Sequence, residues 1–191
     1  MIRNPIIAAC LAAALGGCAG VNRAEPVRVV LRDASEPASA VADLLAAGQN
    51  AQGQPQQLGK IIAALDSLGA RPADASADPV AIWRSAAELP NTPPYRGRVL
   101  GPAYKAGMLT PGMTVRLPQL FDGGRAARVA VATPGAGAID FTVLDGEAKP
   151  VCPPAKARSR QCTWTPLYSG RFEIVLSNST TNAAGYYLVI D

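Results

Sequence analysis

Apolar and polar positions keep a helical spacing up to about residue 90 and then switch to a period of two. Ser35-Glu36-Pro37 is a helix-start signal, Val41, Leu44 and Leu45 follow at helical spacing, and Gly48 suggests a stop. Pro55 opens a second helix. Its residues Leu58, Ile61, Ile62, Leu65 and Leu68 fall on one face, and Gly69 and Pro72 close it. Asp78-Pro79 is a third start, with Asp as N-cap and Pro in the first turn; Val80, Ile82, Trp83 and Leu89 supply the apolar content and Pro90 ends it. Helices this short are marginal unless packed. A cap that buries its own stripe is therefore favoured over a partner-binding arm.

Pro90-Asn91-Thr92-Pro93-Pro94 reads as a linker. Beyond it, Arg96 to Leu100 is a first strand. Val115, Leu117 and Phe121 alternate with Arg116 and Leu120, with Pro118 marking an edge or bulge. Ala127, Val129 and Val131 come next. Ile139, Phe141 and Val143 run up to the Asp145-Gly146 hairpin signal. The stretch from Cys152 to Cys162 reads as a Pro- and Arg-containing loop. Phe172, Ile174 and Leu176, then Tyr187 and Val189, supply the last strands. Seven or eight short strands with a turn every 8–15 residues or so predict an antiparallel β-sandwich. The fold class is α+β: a helical region over 35–90 and a β-sandwich domain over 95–191.

The first residues add an address. Met1-Ile2-Arg3-Asn4-Pro5 carries one positive charge, Ile6 to Leu15 is apolar apart from Cys10, and Leu15-Gly16-Gly17-Cys18 follows. Basic start, an apolar run of about 7–15 residues and small residues before a cut make a secretory signal. The run is too short to span a membrane, which takes about 20 residues. Leu-Gly-Gly-Cys resembles the lipobox of bacterial lipoproteins. That resemblance implies a signal peptide over 1–17 and lipid on Cys18, with Ala19 directing the chain to an outer membrane. Each buried lipid methylene contributes about 0.8 kcal/mol, so several acyl chains hold stably where one does not. The alternative is an ordinary secretory signal cut after Ala19, Gly20 or Ala24. Residues 18–34 then hold the acylated Cys, a small, polar tether over 19–26, and Val27, Val29 and Leu31 alternating as in a short strand.

Composition narrows the chemistry. Apolar residues make up 49% of the 191 and aromatic ones 5%, so the core is modest. The net charge is +4, on scattered arginines with no basic run interleaved with aromatics. Nucleic acid is thus a poor partner. There is no histidine. This removes Ser-His-Asp and Cys-His catalysis and the commonest metal ligand. Cys10 leaves with the signal and Cys18 is acylated. Cys152 and Cys162 then read as a disulfide in an exported chain; zinc would need two further ligands that the neighbourhood lacks. No cofactor is implied.

The C-terminal half carries a second resemblance. Gly107 with Leu109-Thr110-Pro111-Gly112, Phe121 ahead of Gly124, Gly170 to Asn178 and Gly185-Tyr186-Tyr187-Leu188-Val189 resemble bacterial pre-peptidase C-terminal-type domains. These are jelly-roll-like sandwiches that accompany secreted proteases or bind glycan or protein. The resemblance implies the fold; no catalytic domain precedes it here, and the cysteine pair departs from the pattern.

Three functions follow as expectations. The first is a non-catalytic envelope lipoprotein whose sandwich binds another envelope protein or a glycan, through Tyr95, Tyr104, Trp164 and Tyr168, since exposed aromatics stack on sugars or anchor protein contacts. Trp164, two residues after Cys162, is also placed to pack on the disulfide. The second is a hydrolase of envelope polymers using two carboxylates about 5–9.5 Å apart, from Asp140, Asp145, Glu147 and Glu173. Each of these sits at a turn or an outward strand position, and no pair stands out. The third is calcium at Asp122, or at Asp145 with Glu147, where the oxygen count is thin for an ion that takes about six to eight. Asn178-Ser179-Thr180 matches a glycosylation acceptor, but behind a bacterial lipobox it reads as a loop.

Overall fold

The computed structural model describes residues 36–75, 78–90 and 101–191. The signal, Cys18, the tether with its expected strand, the Arg96–Leu100 strand and Tyr95 lie outside the described residues.

Three helices come first: α1 (Pro37–Asn50), α2 (Pro55–Ser67) and α3 (Pro79–Ala86), with a two-residue strand β1 (Arg71–Pro72) before α3. Each helix has proline in its first turn, where the missing N–H costs nothing. Gly48 does not stop α1. It lies inside the last turn because the Trp83 ring occupies the space a Cβ would fill. Eight strands follow: β2 (Ala103–Leu109), β3 (Thr114–Phe121), β4 (Ala127–Ala132), β5 (Ile139–Leu144), β6 (Pro150–Ala157), β7 (Ser159–Trp164), β8 (Gly170–Ser177) and β9 (Ala184–Ile190).

The strands form two sheets, one in the order β1-β2-β9-β4-β7 and the other β3-β8-β5-β6. All pairings are antiparallel except β1 with β2. The architecture is a β-sandwich with short N-terminal helices, as the change of period predicts. Between the sheets lie Leu109, Phe121, Val129, Val131, Ile139, Phe141, Val143, Phe172, Ile174, Leu176 and Leu188. A second apolar layer joins the helices to the outer face of the first sheet. Val41, Leu44, Leu45, Leu58, Ile61, Ile62, Leu65 and Trp83 meet Tyr104, Ala130, Ala132, Tyr187 and Val189 there. Strands β4 and β9 are therefore buried on both faces. That is why Tyr186 to Val189 reads as an unbroken apolar run.

Four polar ties fix α1 on the sheet from end to end. The Ser39 N–H donates to Gln161 Oε1 at 3.0 Å, and Ser159 Oγ donates to Asp43 Oδ1 at 2.5 Å. The Tyr187 hydroxyl donates to Gln49 Oε1 at 2.9 Å, and the Gly135 N–H to Asn50 Oδ1 at 3.1 Å.

One expectation is corrected. The stretch from Cys152 to Cys162 is not a loop: it is most of strands β6 and β7, joined by a tight reversal at Arg158. Both are edge strands, of different sheets. An edge tolerates Pro150, Pro153 and Pro154 because one side of it needs no ladder hydrogen bond. The disulfide Cys152–Cys162, with Cα atoms 6.0 Å apart, thus staples one sheet to the other. Closing a loop of this length contributes about 3 kcal/mol in the chain-entropy model.

Candidate functional site

The site grows from one end of the sandwich, where the β3–β4 turn (122–126) and the β7–β8 loop (165–169) lie together. The Gly124 N–H donates to the Pro166 carbonyl at 2.8 Å, and the Gly123 N–H to Ser169 Oγ at 2.9 Å. Glycine is required at 123: a Cβ there would stand 2.7 Å from the Ser169 nitrogen. Beneath the loop, Phe121, Trp164 and Phe172 form an aromatic cluster. Trp164 and Phe121 meet edge-on at 4.8 Å between centroids, and Trp164 is tilted against Phe172 at 5.3 Å. Trp164 Nε1 is buried with no hydrogen-bond partner among the described residues. The two hydrogen bonds tie the loop to the 122–126 turn.

On this bed the loop raises Leu167 and Tyr168, which are 88% and 84% exposed, and Leu120 on the outward register of β3 is 65% exposed. Two large apolar side chains this exposed on one loop make it a candidate contact surface. Against the 122–126 turn lies an open cleft of about 460 Å³. Its walls include Arg71, Arg125 and Arg128, with Leu120, Phe121, Asp122 and Asp191. Arg128 Nη1 pairs with Asp191 Oδ2 at 3.3 Å and Arg125 Nη1 with Asp122 Oδ2 at 3.4 Å.

Of the aromatics expected at a surface, Tyr168 is there. Trp164 is half-buried under the same loop, packed on Phe121 and Phe172. Tyr104 is not at a surface: it is 3% exposed, on the side of β2 that faces the helices. Its hydroxyl donates to Asp78 Oδ1 at 2.5 Å, and that same oxygen accepts from the Val80 N–H at 2.9 Å to cap α3. Burial, then the bonded Asp78 carboxylate, pushes the Tyr104 phenol far above its ordinary value. The tyrosine is a strut between sheet and helix.

The carboxylates considered for hydrolysis or calcium are each bonded within the fold. Asp140 accepts from Ser179 Oγ, Asp145 accepts the Glu147 and Lys149 N–H groups, Glu147 pairs with Lys149, and Glu173 with Arg116 across β8 and β3. Among the described residues no group of three or more His, Cys, Asp or Glu could hold a metal ion. Asn178 is buried and organises its own loop: Nδ2 donates to the carbonyls of Leu109 and Asn182, and Oδ1 accepts from the Thr180 N–H. Leu167 and the arginines of the cleft escape a reading of the sequence. Leu120 carries a signal there, an apolar residue at an outward position of an alternating strand.

No family model matches the chain, and no curated protein does. Among solved structures, the chain is similar to the pre-peptidase C-terminal domain of a collagenase from Bacillus anthracis, with 10% identity and a TM-score of 0.41, over 46% of this chain and 87% of that one. It is also similar to Aeromonas hydrophila PliG, a periplasmic inhibitor of g-type lysozyme, with 16% identity and a TM-score of 0.37, over 47% of this chain and 84% of that one. The Salmonella Typhimurium PliG follows at 16% identity and a TM-score of 0.30. Likenesses of this degree carry no argument about what the chain does.

Proposed function

We propose that the chain is a non-catalytic envelope protein, tethered by lipid on Cys18 to an outer membrane, that holds another envelope protein on its 165–169 loop. The observation that carries the reading is the pair Leu167 and Tyr168, exposed on a loop that hydrogen bonds from Gly123 and Gly124 tie to the neighbouring turn. A rigid loop presents its side chains without an ordering cost at binding. Leu167 and Leu120 are aliphatic, which favours a protein partner over a glycan, whose flat faces call for aromatic planes. The carboxylates tied into turns and cross-strand pairs support a binding role over hydrolysis. The lipobox-like start and the inter-sheet disulfide support an envelope compartment. No helix among the described residues is long and apolar enough to cross a membrane.

Two experiments test this. In detergent-solubilised envelopes, one protein co-purifies with the full chain, and Leu167→Asp or Tyr168→Ala removes it without changing the melting temperature. Retention of that protein by both variants contradicts the docking site. For the anchor, Cys18→Ser shifts the chain from the membrane fraction to the soluble one; unchanged membrane retention contradicts lipidation.

A further inference from the structure

We propose that the cleft beside the loop receives an acidic side chain of the protein partner, whose neighbouring apolar residues lie on Leu167 and Leu120. This rests on the reading of the loop as a docking site and adds the chemistry of what docks. Three arginines from distant parts of the chain line the cleft, Arg71 from β1, Arg125 from the turn and Arg128 from β4, beside two carboxylates, Asp122 and Asp191. Ala73, Gly101 and Ala103 line it too, and their short side chains leave room for a carboxylate on its stem.

Arg125 and Arg128 already pair with Asp122 and Asp191, through long contacts that a better-placed carboxylate can take over. The Arg125–Asp122 and Arg128–Asp191 pairs, at 3.4 and 3.3 Å, are longer than the roughly 2.7–2.9 Å of a good charge-assisted bond. The first is solvent-exposed on both sides, where an ion pair is weak and readily exchanged. Arg71 forms no ion pair among the described residues. A guanidinium fork matches a carboxylate in plane and spacing. The cleft and the loop are one surface, because the turn that walls the cleft bonds to the loop through Gly124 and Pro166. A partner segment that mixes acidic and apolar residues fits both parts at once.

The test uses the full chain in detergent and a fluorescent heptapeptide of alternating Glu and Leu. A peptide of alternating Lys and Leu, and inorganic phosphate alone, run in parallel. The acidic peptide binds, and binding weakens with salt. Arg71→Gln and Arg125→Gln each weaken it about fivefold, the effect of one exposed ion pair. Lys60→Gln, on the exposed face of α2, leaves it unchanged. Equal binding of the basic peptide, or unchanged affinity in both arginine variants, overturns the proposal. Phosphate binding as tightly as the peptide overturns the protein assignment. Loss in the arginine variants with no effect of Leu167→Asp keeps the cleft and overturns the loop reading; the reverse keeps the loop and overturns the cleft.

Discussion

Tyr104 and Tyr187 show how residues that look like contact surface become struts. Both sit on the helix-facing side of the first sheet, and both hydroxyls end on a helix-side acceptor, Asp78 and Gln49. Burial pushes the Tyr187 phenol up to about 12, and Tyr104 is shifted upward further by burial and Asp78. An unfolded tyrosine ionises near pH 10 or so. The folded pKa values lie above the unfolded one, so this stabilisation is fully present below about pH 10 and is lost as pH rises toward 12. Urea midpoints measured from pH 7 to 12 should show an alkaline fall beginning near pH 10, and Tyr187→Phe should make it shallower. An equally steep fall in that variant contradicts the assignment. At this scale Tyr168 was legible in the sequence, as an aromatic beside a Ser-Gly turn, whereas Leu120 showed only as an outward position of an alternating strand. The cleft was not: Arg71 and Arg125 lie more than fifty positions apart, and only the β1–β2 pairing brings them together.

Among the elements, those with an apolar period were legible and those without were not. The stripe from Leu58 to Leu65 gave α2, and the alternation in β5 and β8 gave the centre of the second sheet. Strands β6 and β7 carry prolines, arginines and cysteines at a sheet edge, where burial imposes no alternation. Strand β2 has Gly107 at its middle, because the Tyr186 ring crosses it where a side chain would stand. The same logic explains Gly48 in α1. Replacing a helix-interior glycine with alanine ordinarily stabilises by about 0.5–1 kcal/mol. Here the methyl would meet the Trp83 ring. Gly48→Ala should therefore lower the thermal midpoint, and a variant that raises it contradicts the packing of α3 against α1.

For the whole molecule, the helical region is a third layer rather than a free arm, packed by its apolar face on β4 and β9 and tied by four hydrogen bonds to β7, β9 and the β4–β5 loop. The shortness of the helices favoured that outcome over the arm, but the acceptors Gln49, Asn50 and Gln161 give no signal until the layers are stacked. The helical region itself supplies Arg71 and Ala73 to the arginine cleft, whose 122–126 turn bonds to the exposed loop. The most direct measurement is photo-crosslinking in intact cells from a reactive residue placed at position 168, with position 63 on the exposed face of α2 as the comparison. The account predicts one discrete adduct from 168, absent from 63 and lost when Leu167→Asp is added. The same adduct from both positions, or an adduct from 168 that survives Leu167→Asp, would contradict it.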